Sequence, residues 1–235
     1  FIASIIFVDD TDLLHIASYP SMSDVDFFHQ VQKATFDWGL ITQATGGYLK
    51  PVKCFWYMMS WKWVNGVPQL KSLRDLPNFS LMIPQKDGIA VPIPLRSVDA
   101  SEKTLGLYSC PAGDFGFHLG EKHKEGILWV ERLRRRPIPP KDGWLGFRHA
   151  LHKKLTYGYS AVVCKPGELS SLYHKLYREL LSPLGVNKNI TTFYRMAPKR
   201  VQGLGMPNPN IDMLSHKIHL LQTEWGQSPA AGKML

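Results

Sequence analysis

Asp9 and Asp10 stand side by side at the end of an apolar run, Ile2–Val8, with Asp12 following after Thr11. Seven mostly apolar residues read as a buried strand. Carboxylates at the end of such a strand are costly to bury unless a cation or hydrogen bonds satisfy them. Two adjacent aspartates at a tight turn between strands can aim their oxygens at one point. That arrangement suits a hard divalent cation such as Mg²⁺ or Mn²⁺, with phosphates and waters completing the octahedron. Two simpler readings stay open: a solvated acidic turn, and Asp12 as a cap for the next segment. A calcium loop fits less well, because no Gly stands at its sixth position and no Glu at its twelfth.

The elements that would position these acids can be read in order. Leu13–Ser18 is apolar enough to return as the second strand of a hairpin. Ser23 is placed to cap a helix from Asp24, with Asp24 and Asp26 suiting its first turn. Val25, Phe28, Val31, Thr35, Trp38 and Ile41 recur every three to four residues and predict its core face, and Gly46-Gly47 ends it. An aromatic stretch with partial two-residue alternation and Asn65-Gly66 predict a strand pair over about 54–70. The stretch from Arg74 to Pro94, with four prolines and no clear period, reads as mostly loop, and 103–108 as one short strand.

Beyond Gly113 the spacing turns helical, over 120–135, 143–156 and 167–184, with Pro137-Ile138-Pro139-Pro140 as a linker or rigid turn. In the last of these helices Leu169, Leu172, Leu176, Leu180 and Leu181 share one face, with Tyr173 and Tyr177 beside it. The tail after Gln227 is expected to fray.

Composition bounds the function. The 235 residues are 44% hydrophobic, enough for one large or two small domains. No run reaches the roughly 20 apolar residues of a membrane span. With no leader pattern, and three cysteines lacking metal spacing, the expected setting is intracellular, in cytoplasm or nucleus. Charge is uneven: residues 1–108 hold 9 Lys and Arg against 10 Asp and Glu, and residues 109–235 hold 19 against 9. An acidic site joined to a basic half suits an enzyme handling phosphodiesters. The candidate phosphate contacts are Arg132, Arg134, Arg135, Arg136, Lys153, Lys154, Lys199 and Arg200; a merely solvated cationic face is the alternative. His149 and His152 lack the Cys or acid pattern of a zinc site and read as surface histidines.

Phe7-Val8-Asp9-Asp10, then Thr45-Gly46-Gly47-Tyr48-Leu49-Lys50-Pro51-Val52-Lys53-Cys54-Phe55, the aromatic strand pair, and Thr104-Leu105-Gly106 occur in that order. In these segments the chain resembles the C-terminal half of a reverse transcriptase of the non-LTR retrotransposon (LINE-like) kind. Leu155-Thr156-Tyr157-Gly158 and Gly203-Leu204-Gly205-Met206 are similar to segments that follow the palm in such elements. The match is specific in order and spacing over 1–108 and looser beyond.

The resemblance implies an α+β fold. Residues 1–108 would be a partial polymerase palm, antiparallel strands with a packed helix, and residues 109–235 a mostly helical, thumb-like region. It implies two-metal nucleotidyl transfer on an RNA template–DNA primer duplex and a dNTP, with Asp9 and Asp10 as ligands to Mg²⁺ or Mn²⁺ and Asp9 the main one. Lys53 would lie near the triphosphate, and Trp56, Tyr57, Met58 and Met59 would form the strand pressing on the primer end; for these the alternatives are a solvated loop lysine and plain packing. The family's site takes a further Asp from an earlier strand, and its fingers also come earlier. The 235 residues are therefore expected to be half a site, inactive in polymerisation by themselves. Two other readings compete: a non-catalytic nucleic-acid-binding remnant or domesticated module, and another two-metal palm polymerase, whose Asp-Asp hairpin commonly has Gly before it. Val8 and the 46–55 segment favour the reverse transcriptase. The oligomeric state is not readable.

Overall fold

The computed structural model describes residues 2–7, 10–19, 21–136 and 138–225; for residues 2–7, Asp10, Thr11, Pro166, Glu224 and Trp225 it describes the backbone alone. The protein is a mixed α+β chain with small, mostly antiparallel sheets. It divides into two compact units, Phe1–Leu105 with Cys110–Gly113, and Gly106–Ser109 with Asp114–Leu235.

The first unit opens with β1 (Ile2–Phe7) and β2 (Asp10–His15), paired antiparallel with Phe7 opposite Asp10 and Ile5 opposite Asp12. The return strand thus starts at Asp10 rather than Leu13, so Asp10 and Asp12 belong to a strand. Helix α1 (Asp24–Ala44) follows. Ser23 caps it, its Oγ accepting the Asp26 N–H at 3.1 Å. At the other end Gly46 N–H reaches Gln43 O and Gly47 N–H reaches Thr42 O, both at 3.0 Å, a Schellman closure. Phe28, Val31, Thr35 and Trp38 fall on the half-buried face, whereas Val25 and Ile41 at its margins are exposed. A 21-residue helix lying on a four-residue strand cannot cover its whole apolar stripe.

After a 3₁₀ turn (Pro51–Lys53) come β3 (Trp56–Tyr57), β4 (Trp61–Val64) and β5 (Val67–Leu70). The hairpin predicted over 54–70 is only its second half. β4 and β5 pair around Asn65-Gly66, both at positive φ, as a tight two-residue turn requires.

The segment predicted as loop instead contains β6 (Leu81–Pro84) and β7 (Ala90–Ile93), an antiparallel pair, and β8 (Leu95–Arg96), which runs parallel to β3. The prolines misled because their positions matter more than their number. Met82, opposite Pro92, turns both its N–H and its C=O to the Gln32 side-chain amide, at 2.8 Å each. Met82–Pro92 is therefore a non-hydrogen-bonded pair, at which the missing N–H of proline costs no ladder bond. Gln43 likewise donates to Pro84 O at 3.0 Å. Two glutamines of α1 thus satisfy the open edge of β6. Trp56, Met58, Leu81, Ile83 and Ile93 form this unit's buried core.

β9 (Glu102–Thr104) and β10 (Leu107–Ser109) replace the single strand predicted over 103–108. Leu105 and Gly106 both have positive φ, so Leu105-Gly106 is a turn rather than a strand interior.

The second unit is helical: α2 (Gly116–Arg135), α3 (Pro140–Gly146), a π turn (Phe147–Leu151), α4 (His152–Thr156), α5 (Pro166–Leu181), α6 (Thr192–Met196) and α7 (Pro209–Trp225). Helix α5 is its centre. Leu169, Tyr173, Leu176, Tyr177, Leu180 and Leu181 are all buried on the predicted stripe. Helix α2 packs on it through Gly126, where an added Cβ would lie 2.7 Å from Leu176 Cδ2.

Candidate functional site

Asp9, the main predicted metal ligand, lies outside the described residues, and for Asp10 the description stops at its backbone in β2. The described backbone here is that of a hairpin, with Phe7 and Asp10 in register and Val8 and Asp9 between them in sequence. Among the described residues, no group of three or more His, Cys, Asp or Glu side chains could hold a metal ion.

Lys53 ends the 3₁₀ turn that Pro51 opens, and its side chain is exposed. The four residues predicted to press on a primer divide by burial. Trp56 and Met58 are buried core, so their side chains pack the first unit and present no surface to a nucleic acid. Tyr57 is half-buried, and its hydroxyl donates to Ala100 O at 2.9 Å. Burial raises its pKa, and the nearby Glu102 carboxylate and Cys110 add to this. Only Met59 of the four is exposed. The exposed aromatic residues of this stretch are Trp61 and Trp63 of β4, the latter 73% exposed.

One carboxylate that sequence reasoning placed only in the first turn of α1 has a larger part. Asp24 accepts from Lys71 Nζ at 2.5 Å and from Ser60 Oγ at 2.7 Å. Burial works to raise its pKa, but these two donors outweigh it and hold the carboxyl below its ordinary value. The pair fastens the base of the β4–β5 hairpin, where Lys71 N–H also reaches Ser60 O at 2.8 Å, to the start of α1.

In the second unit all eight predicted phosphate contacts are exposed. They are not equally available. Arg134 is committed to Glu179 of α5, donating to its carboxylate at 2.5 Å and to its backbone carbonyl at 3.1 Å. That contact pulls the Glu179 pKa down. Lys154 lies 3.5 Å from Glu125, and both line a pocket of about 130 Å³ with Trp129, Arg132, Ala150 and Leu151. Arg132, Arg134 and Arg135 occupy the last turn of α2, where cations also complement the helix dipole. Lys153, Lys199, Arg200 and Arg136 are exposed as well.

Sequence reasoning missed two histidines withdrawn from solvent here. His118 is buried, and its Nδ1 accepts the Tyr108 N–H at 3.3 Å. Burial lowers its pKa, helped by Lys122. His152, read as a surface residue, is half-buried, with Nε2 3.5 Å from Asp212 Oδ2. Burial favours the neutral form of both partners, raising Asp212 and lowering His152. Sixty residues separate the two, so no local pattern could have paired them.

No protein-family model, no curated protein and no solved structure matches the chain. Among the described residues no helix is long and apolar enough to cross a membrane.

Proposed function

We propose that this chain is the C-terminal portion of a retroelement reverse transcriptase, an RNA-directed DNA polymerase. In this reading the first unit is part of the palm and the second is thumb-like. Asp9 and Asp10 would hold two Mg²⁺ or Mn²⁺ ions together with a further carboxylate supplied upstream. The carrying observation is the position of Phe7-Val8-Asp9-Asp10: β1 ends at Phe7, β2 begins at Asp10, and the two are in register. Adjacent aspartates at such a joint would stand where two-metal chemistry needs its ligands. The ions would align a primer 3′-hydroxyl with the dNTP α-phosphate and stabilise the departing pyrophosphate.

Further support comes from the order of elements, with a capped helix, the 46–55 segment and an aromatic hairpin after the acids, and from the basic surface of the second unit. Lys53 is free of burial and suited to face a triphosphate. The exposed cations would contact template–primer phosphates without regard to sequence, and binding would weaken steeply with salt.

The test is primer extension on an RNA template by a protein that carries this chain with its upstream region, with and without Asp9→Asn. Loss of a metal ligand is expected to abolish extension while leaving duplex affinity intact. Equal extension by both proteins would overturn the catalytic reading. Duplex binding without any extension by the unsubstituted protein would instead favour a nucleic-acid-binding module.

A further inference from the structure

Residues 140–156 run as one helical stretch, from α3 through the π turn Phe147–Leu151 into α4. A π turn departs from the α-helical register and opens the helix locally, and such turns recur at functional sites. This one lies against α2, and between them is the pocket of about 130 Å³. Glu125, Trp129 and Arg132 line it from one face of α2, and Ala150, Leu151 and Lys154 from the π turn and α4.

One side of the pocket is apolar. Leu151 is buried, Ala150 offers only a methyl group, and Trp129 adds its indole. The α3 backbone passes close to that indole: a Cβ on Gly146 would lie 3.3 Å from Trp129 Cζ2. An apolar cavity of about 150 Å³ holds benzene, so this pocket has room for a single six-membered ring.

The other side is cationic. Glu125 is the one acid in the lining, and both of its carboxylate oxygens face lysines: Oε1 lies 3.5 Å from Lys154 Nζ and Oε2 3.5 Å from Lys122 Nζ. Arg132 has no carboxylate partner among the described residues, whereas Arg134 is held by Glu179. An aromatic wall beside unneutralised positive charge suits a ligand that is a flat ring at one end and an anion at the other.

We propose that this pocket binds a pyrimidine nucleotide, with its base against Trp129 and Leu151 and its phosphate on Arg132. Aromatic side chains hold unpaired bases by stacking, and a guanidinium offers paired N–H donors to phosphate oxygens. A purine, with two fused rings, exceeds the space. A base paired in a duplex cannot enter without leaving its stack, so a strand nucleotide bound here is unpaired. The proposal rests on the nucleic-acid-binding part of the reading above and not on its metal chemistry. The nucleotide would come from a single strand or from the free pool.

The test uses the full chain without added metal. Binding of uridine monophosphate is measured by calorimetry beside uridine, ribose 5-phosphate and guanosine monophosphate. Uridine monophosphate is expected to bind about tenfold tighter than any of the other three. Ala150→Leu fills the pocket from an exposed position and is expected to abolish this binding while leaving the unfolding midpoint in place. Arg132→Gln, also a surface change, is expected to weaken uridine monophosphate about tenfold and leave uridine unaffected. Asp9→Asn is expected to leave nucleotide binding unchanged, which separates this site from primer extension. No binding of uridine monophosphate, equal binding of ribose 5-phosphate or guanosine monophosphate, or binding that survives Ala150→Leu overturns the site. A short oligouridylate that binds tighter than the mononucleotide, and is lost in Ala150→Leu, identifies a strand as the source; equal affinity identifies the free nucleotide.

Discussion

The two units of this chain solve stability differently. The second gathers seventeen buried apolar residues from its helices and the loops between them into one core, with α5 contributing six of them. The first packs five into its core cluster, among the described residues, and relies on side chains that reach backbone or charge: Gln32 and Gln43 on β6, and Asp24 between Lys71 and Ser60. A unit made of two-stranded sheets has many open edges, and each edge group buried without a partner is costly. Polar side chains close these edges where there is too little apolar surface to build a larger core. The first unit should therefore respond to the loss of single hydrogen bonds, and the second to the loss of volume.

The largest expected effect is in the second unit. Leu180→Ala, at a fully buried position on α5, is expected to cost about 2–5 kcal/mol and lower the unfolding midpoint of that unit. A loss within 0.5 kcal/mol of zero would mean that the helical core is not close-packed. Next comes Gln32→Leu in the first unit, which strands the Met82 N–H and C=O. The expected cost is about 1–3 kcal/mol, with faster amide hydrogen exchange at Met82 than in the unsubstituted protein. Unchanged exchange there would break the contrast between the units.

The smallest expected effect is a pH dependence of the second unit near neutrality. His118, His123 and His152 all have folded-state pKa values lowered by burial. A group with a depressed folded pKa contributes stability that is present above its unfolded value, near 6.5, and is lost as pH falls through that value toward the folded one. Asp212, raised by burial, opposes this, since its contribution is lost as pH rises through its folded value. Three histidines against one carboxylate give the sign. The midpoint of the second unit is expected to fall between about pH 7 and pH 5.5, and His118→Asn is expected to flatten the fall. A midpoint that rises on acidification would mean the histidines are charged in the fold.

Much of the architecture was legible because it is encoded over a few residues. Ser23 with Asp26 makes a cap from one turn of chain, Asn65-Gly66 makes a turn from two residues, and the α5 leucines declare their face by spacing alone. The candidate site was less legible. The Asp9-Asp10 pair stands out by type and adjacency, but the same aromatic stretch supplied both a core (Trp56, Met58) and a surface (Met59, Trp61, Trp63). Alternation of apolar residues cannot separate the two when both faces of a short strand are aromatic.

The sequence by itself determined the capped helix, the tight hairpin turn, the buried stripe of α5 and the uneven charge. In each case the deciding interactions lie within a few residues or are sums over composition. Only the tertiary structure decided that prolines 84 and 92 sit in strands, because both fall at non-hydrogen-bonded positions of the β6–β7 pairing, where no ladder bond needs their missing N–H. Only it decided that Arg134 is spent on Glu179, that His152 meets Asp212, and that Arg195 is buried with its Nη2 on the Thr192 hydroxyl. The cost of burying a charge or leaving a backbone group unpaired depends on what the fold brings to it from elsewhere in the chain, and no local pattern carries that information.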